Sequence, residues 1–363
     1  GIPASIDAIV RARKAGCTLT SHSQIFLSNY PREKVIGITG TKGKSTTASL
    51  IHHILQSAGI PAELVGNIGQ PPLTRMDAVS SETYFVHEFS SHQLAEIETS
   101  PHIAVLLNIV PEHLDYYATF EEYVAAKENI TKFQTADDFL IFAADYPAPT
   151  AIAQTSKAVL KPFSIKDPVE HIVDVREIPL PGKFNLQNVL AAVTTAQLCG
   201  VQPPAIRDAI RTFRALPHRL EPVGTYNGIT FYDDSIATVP EAALAAFEAL
   251  GSSVETVLLG GHERNLDFIQ LAEQLPANIK TVILFPPTGV RIWSAIETHS
   301  KNPALPEAFF VGDMEQAVKI AYQRTEPGKI CLLSPASPSF GIFKDYRERG
   351  DLFKAFVRKL SNS

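Results

Sequence analysis

The chain is poor in the residues that mark disulfide-rich, membrane-spanning or nucleic-acid-binding proteins. Its 363 residues hold one tryptophan, two methionines and three cysteines. Cys17, Cys199 and Cys331 have no metal-ligand spacing and three cannot all pair, so a reduced, cytoplasmic setting is expected. No apolar run reaches bilayer-spanning length, and the opening residues do not read as a signal peptide, so no membrane partner is expected. Positive charge is not in excess. The net charge of −6 argues against a nucleic acid held by a broad basic face.

What is present is an ordinary soluble core. Hydrophobic residues make up 45% and charged residues 19% of the chain, and the length suggests two domains. Short apolar runs alternate with helical patterns. "KVIGITG", "TYFVHEFS", "IAVLLNI" and "FLIFAAD" read as strands, "TFEEYVAAKENITKF" as a helix, and "NLQNVLAAVTTAQLCG" with "PPAIRDAIRTF" as a helix pair. After "RALPHRLEPV" the rhythm restarts: "GITFYDDS", "ETVLLGG", "TVILFPP", "AFFVG" and "KICLLSP" alternate with helices to Leu360. Such alternation predicts α/β domains with mostly parallel sheets. The restart places the boundary at Leu216–Pro217.

"GTKGKST" follows an apolar strand and opens a helix, the context a phosphate-binding loop needs. Gly40 and Gly43 permit a tight backbone whose N–H groups point at phosphate oxygens. Thr41 and Lys42 are the only residues between them, a shorter spacing than the common P-loop. Lys44 can reach the β- and γ-phosphates, Ser45 or Thr46 can hold Mg²⁺, and the helix start adds positive potential. This is a nucleotide site. Glu88 ends a strand, where it is either a solvated acid or the carboxylate that completes the Mg²⁺ shell.

"GITGTKGKST" resembles the ATP motif of the Mur ligase superfamily, and further matches follow in order: "GNIGQPPL", "HEFSSHQL", "LNIVPEHLDYY", "AAKENI", "GKFNLQNVLAA", "ALPHRLEPV", "YDDSIATVPEA" (against "NDSKATN") and "LLGGHERNLDF". "LLSPASPSFGIFKDYRERGDLF" resembles the signature of the glutamate-adding branch. The resemblance implies a P-loop ATPase domain followed by a Rossmann-like α/β domain, and an ATP-dependent amide ligase. Such an enzyme phosphorylates the carboxylate of UDP-N-acetylmuramoyl-L-alanine and lets the amine of glutamate displace the phosphate, for peptidoglycan precursors. ATP and two Mg²⁺ sites are implied, and a monomer.

Residue by residue, the resemblance puts Asn67 at the muramyl substrate, His113 at a second Mg²⁺ and Lys127 there too as a carbamate. Without it, His113 reads as a satisfied loop residue and Lys127 as a snorkelling surface lysine. Asn185 and Asn188 are implied to meet adenine, the alternative being a helix cap. Arg219 is implied to clamp the ATP phosphates, the alternative being an ion pair with Glu221. Asp234 is implied to bind the ribose. Thr238, Arg264, Ser339, Phe340 and Tyr346 are implied to hold the incoming amino acid, though Ser339 also reads as a helix N-cap.

Three departures stand out: Phe184 replaces the histidine of "GxHNxxN", Ile236 the lysine of "DSKAT", and Arg264 a lysine. Both D- and L-glutamate therefore remain open. A folylpolyglutamate-type ligase and a nucleotide-binding module without ligase activity are the alternatives. The expected layout is residues 1–34 as the end and linker of a preceding UDP-binding domain, 35–216 as the ATPase domain and 217–363 as the amino-acid domain. Closure of that last domain is expected to bring the amine to the acyl phosphate and exclude water. Gly1 rather than Met at the start fits a fragment, expected to bind ATP and to ligate poorly by itself.

Overall fold

A computed structural model describes residues 6–112, 116–166 and 172–361. The chain falls into two compact units, Gly1–Phe213 and Arg214–Ser363.

In the first unit the strands are β1 (Val35–Thr39), β2 (Ala62–Gly66), β3 (Tyr84–Glu88), β4 (Ile103–Leu106), β5 (Phe139–Ala143) and β6 (Val159–Phe163). The helices are α1 (Asp7–Lys14), α2 (His22–Asn29), α3 (Lys44–Ser57), α4 (Ser91–Leu94), α5 (Phe120–Lys132), α6 (Pro147–Thr155), α7 (Lys183–Leu198) and α8 (Pro203–Thr212). All six strands run parallel in the order β2-β3-β1-β4-β5-β6. β1 is buried at every residue, as a central parallel strand must be. Its register pairs Ile38 with Glu88 and Thr39 with Leu106, so three strands end together at one edge. Strand order reverses at β1, which makes that edge a crevice for ligands. Phe26, Leu27 and Tyr30 of the α2 region pack with Phe85 and Phe89 in this unit's core.

In the second unit the strands are β7 (Glu221–Tyr226), β8 (Ile229–Asp233), β9 (Val254–Gly260), β10 (Thr281–Phe285), β11 (Glu307–Phe310) and β12 (Ile330–Leu333). The helices are α9 (Pro240–Leu250), α10 (Ile269–Glu273), α11 (Thr288–His299), α12 (Met314–Arg324) and α13 (Tyr346–Leu360). The order is β11-β10-β9-β12-β8-β7, parallel except for β7, which runs antiparallel to β8. Phe231, Leu258, Ile283, Cys331 and Leu333 from the sheet close a core with Ala317, Phe353 and Val357 of the covering helices.

β2, β6 and β7 were not among the strands expected. "AELVG" and "VLKPF" are short and only partly buried, and "EPVGTY" contains a proline and a glycine, so none gives a clear apolar run. α13 crosses β8 closely: a Cβ added at Gly350 would lie 2.2 Å from His218 Nδ1 and 2.5 Å from Asp233 Oδ2. Gly350→Ala must shift α13 or break the packing of the His218 and Asp233 side chains against it, and we expect it to destabilise the second unit by about 1–3 kcal/mol. Urea unfolding followed through a second-unit probe checks this; an unchanged midpoint contradicts the close packing.

Candidate active site

The phosphate loop hangs from the end of β1. Gly43 caps α3 with φ 90°, a left-handed backbone that favours glycine. The space beside it is also taken, since an added Cβ would lie 2.2 Å from Asn188 Oδ1. Thr41 is buried; its N–H donates to Asn108 O (2.6 Å), and its hydroxyl lies 3.1 Å from Tyr123 Oη and donates to Val110 O. Lys42 N–H donates to Asn108 Oδ1 (3.0 Å), Asn108 Nδ2 returns a bond to Lys42 O, and Lys42 Nζ pairs with Glu112 at 2.5 Å. The loop is thus braced from β4's continuation and from α5 and α7. Lys44 Nζ donates to Gly40 O and Thr41 O, folded back onto the loop's own carbonyls.

Glu88 and Thr46 are both buried at this edge, and Ser45 is half-buried. Among the described residues, Glu88 Oε2 and Thr46 Oγ1 have no hydrogen-bond partner. Two orphaned oxygens beside a phosphate loop are hard donors of the kind Mg²⁺ takes, so these residues fit that ion.

Lys127 departs from the surface position that its helix pattern suggested. It is 1% exposed, donates to Gly40 O (2.8 Å) and lies over the Tyr123 ring at 4.7 Å. Burial pulls its pKa down to about 6, with Lys44 adding repulsion while Glu112 and Glu88 oppose the fall. Near neutral pH it is mostly a free amine, the form whose lone pair can attack CO₂ to make a carbamate and a released proton. His113 lies outside the described residues. Asn67 is exposed in the tight loop after β2, where its N–H donates to Glu88 O (3.1 Å).

Asn185 and Asn188 lie inside α7, whose N-cap is Gly182, so neither caps the helix. Both are buried. Asn188 accepts from Thr47 Oγ1 and donates to Asn185 Oδ1, and Asn185 donates to Pro181 O. In this structure their amides tie α7 to Thr47 of α3 and to Pro181 O, with Asn188 lying close beside Gly43.

In the second unit, Arg219 is half-buried and is not the partner of Glu221, which is bound by Lys354 (2.9 Å) and by His218 N–H. Asp234 is buried rather than open at the strand end, with Oδ1 accepting from Leu220 N–H and Oδ2 from Ser334. Burial pushes its pKa up to about 7 against those hydrogen bonds. Thr238 and Tyr346 are half-buried, and Arg264 and Phe340 are exposed. Phe340 meets His262 edge-on at 6.1 Å between ring centroids. Ser339 is buried and caps no helix; the N-cap of α13 is Asp345, which accepts from Arg347 and Glu348 N–H.

Sequence reasoning missed Arg349, the largest fully buried side chain. Its guanidinium donates to Ser235 Oγ, Ser235 O and Ser337 O, fastening the loop after β8 to the loop after β12. The "RG" of "RERGDLF" was the available signal: a guanidinium tie and a glycine that lets α13 pass.

The Mur ligase middle domain matches residues 38–196, and the Mur ligase glutamate ligase domain matches residues 218–337. A UDP-N-acetylmuramoylalanine–D-glutamate ligase of Symbiobacterium thermophilum is 36% identical over 382 residues, covering 99% of this chain and 83% of the relative. One from Acidobacterium capsulatum is 36% identical over 379 residues, covering 98% and 80%. Among solved structures, MurF ligase of Thermotoga maritima in complex with ADP shares the fold at TM-score 0.69 and 17% identity, with 95% of this chain and 86% of that one covered. The UDP-N-acetylmuramate–alanine ligase MurC of the same organism gives 0.68 at 19% identity, with 100% and 84% covered. With relatives this similar over nearly its whole length, the chain belongs to the Mur ligase family of ATP-dependent ligases of peptidoglycan precursor synthesis.

Proposed function

We propose that the chain is a ligase that joins D-glutamate to UDP-N-acetylmuramoylalanine with ATP, through an acyl phosphate. One observation carries this reading. Lys44, the orphaned oxygens of Thr46 and Glu88, and the uncharged amine of Lys127 meet at the carboxyl edge of the first sheet. The names of the relatives supply the substrates.

In this reading the N–H groups of Gly40 to Gly43 and the start of α3 cradle the phosphates. Lys44 leaves its two loop carbonyls and pairs with the phosphate oxygens. Arg219 adds a second, permanently charged cation to the charge that develops on phosphoryl transfer. Thr46, Ser45 and Glu88 would hold one Mg²⁺, and His113 with carbamylated Lys127 a second; ions bound there would supply positive charge against phosphate and carboxylate oxygens. Asn67 would contact the muramyl substrate. Asn185 and Asn188 would meet the adenine from α7, and Asp234 would meet the ribose by giving up its bond from Ser334. Thr238, Arg264, Ser339, Phe340 and Tyr346 would receive glutamate, Arg264 as a forked donor to a carboxylate. In this reading the setting is cytoplasmic, in keeping with free Cys17, Cys199 and Cys331, and the chain acts as a monomer. No described helix is long and apolar enough to cross a membrane.

Phosphate release with ATP, Mg²⁺ and UDP-N-acetylmuramoyl-L-alanine is expected with D-glutamate and not with L-glutamate. Release with a folate acceptor alone, or with none, sinks the reading. Lys127→Ala is expected to lower the rate by about 100-fold or more, with partial recovery in a short carboxylic acid; an unchanged rate removes the carbamate. Lys127 also links stability to pH. Its amine titrates at 10.5 unfolded and at about 6 folded, so between those values the unfolded chain binds the extra proton. Stability of the first unit therefore rises with pH across that window in CO₂-free, metal-free buffer. Lys127→Met should flatten the slope in urea unfolding; a slope unchanged by the substitution assigns it elsewhere.

A further inference from the structure

Arg219 sits between two residues in left-handed backbone, His218 at φ 64° and Leu220 at φ 43°. Neither is glycine, and such conformations persist only where the surroundings over-determine them. Here they are pinned. His218 Nδ1 meets Asp233 Oδ2 at 2.8 Å, and His218 O accepts from Ile236 N–H. Leu220 N–H donates to Asp234 Oδ1, and Arg219 N–H donates to Leu216 O. His218 is buried, as are both aspartates.

His218, Glu221 and Asp233 present ligand atoms within 4.8 Å of one another, the form of a small metal site. A cation is already there. Lys354 Nζ from α13 lies 2.9 Å from Glu221 Oε2, 3.7 Å from Asp233 Oδ2 and 3.3 Å from Asp351 Oδ1. Asp351, on the open side, also lies 3.8 Å from His218 Nε2. Asp233 stands where the pattern "NDSKATN" begins with asparagine, so this chain buries a carboxylate where an amide would serve. A buried carboxylate needs a paired charge, and Lys354 is 12% exposed where it supplies one.

We infer that Lys354, through Asp233 and His218, is a positioning residue that holds the strained turn presenting Arg219. This rests on the role proposed for Arg219 above. The ammonium compensates Asp233 and Glu221, Asp233 holds the His218 ring, and the ring fixes the turn on which Arg219 is mounted.

The test uses the full chain and two readouts. In Lys354→Ala, amide hydrogen exchange at Arg219, Leu220 and Ile236 is expected to quicken about tenfold while β9 and β12 keep their protection. Asp233→Asn/Lys354→Ala, which removes both charges, should return those amides toward the parent. Unchanged exchange in Lys354→Ala, uniform quickening across the second unit, or no recovery in the double variant overturns the inference. In phosphate-release assays Lys354→Ala should lower kcat about tenfold with the KM for glutamate unchanged, and should cost nothing further in an Arg219→Ala background. An equal loss in both backgrounds means Lys354 does not act through Arg219. A parent chain that ligates no acceptor refutes the proposed function, while the exchange measurement still decides the positioning role.

Discussion

A buried amine against a backbone carbonyl organises the first unit. Lys127 reaches from α5 to Gly40 O, inside the phosphate loop itself, with almost none of its side chain in water. An ammonium ion in that place pays desolvation and feels Lys44, which is why the neutral form wins near neutral pH. The loop, α5 and the ends of β1 and β3 can therefore be dry and closely packed without an ion pair at their centre. Tyr123 and Thr41 complete that packing.

The two units hold the loops at the carboxyl edges of their sheets by different means. In the first, backbone and amide groups do the holding: Asn108 braces the loop, Asn188 ties α7 to Thr47, and Lys44 and Lys42 rest on loop carbonyls and on Glu112. In the second, charge is used internally. Arg349 ties two loops together, and Asp233, whose charge it feels, is shared with His218 and Lys354. Exposed groups there, such as Arg264 and Phe340, lie outside this scaffold.

The strand–loop–helix around Gly37–Gly59 was legible because each level agreed: a wholly apolar strand, two glycines where the backbone tightens, and a long helix behind. Most strands of the second unit were equally plain. Depth was not legible. "YVAAKEN" reads equally as a surface or a buried face, and only packing against β1 showed that Lys127 points inward. Asp234 stands at a strand end, as expected, but its oxygens are consumed by Leu220 and Ser334 from distant parts of the chain. Ser339 resembled a cap because a helix follows; Asp345, with two N–H groups bound, starts that helix instead.

The reversal of β7 carries a topological consequence. Because Glu221 pairs with Asp233, the chain enters the second sheet at the same edge where β8 ends. A parallel strand in that place would have delivered the entering chain to the opposite end. The entry point and the loops after β8 and β12 are thus neighbours by connectivity alone, and the hairpin turn at Asn227–Gly228 is left at the far end. That remote turn is itself held by the segment before β12, since Gly228 O accepts from Gly328 N–H and a Cβ at Gly228 would lie 2.9 Å from Pro327, so both ends of the hairpin are anchored.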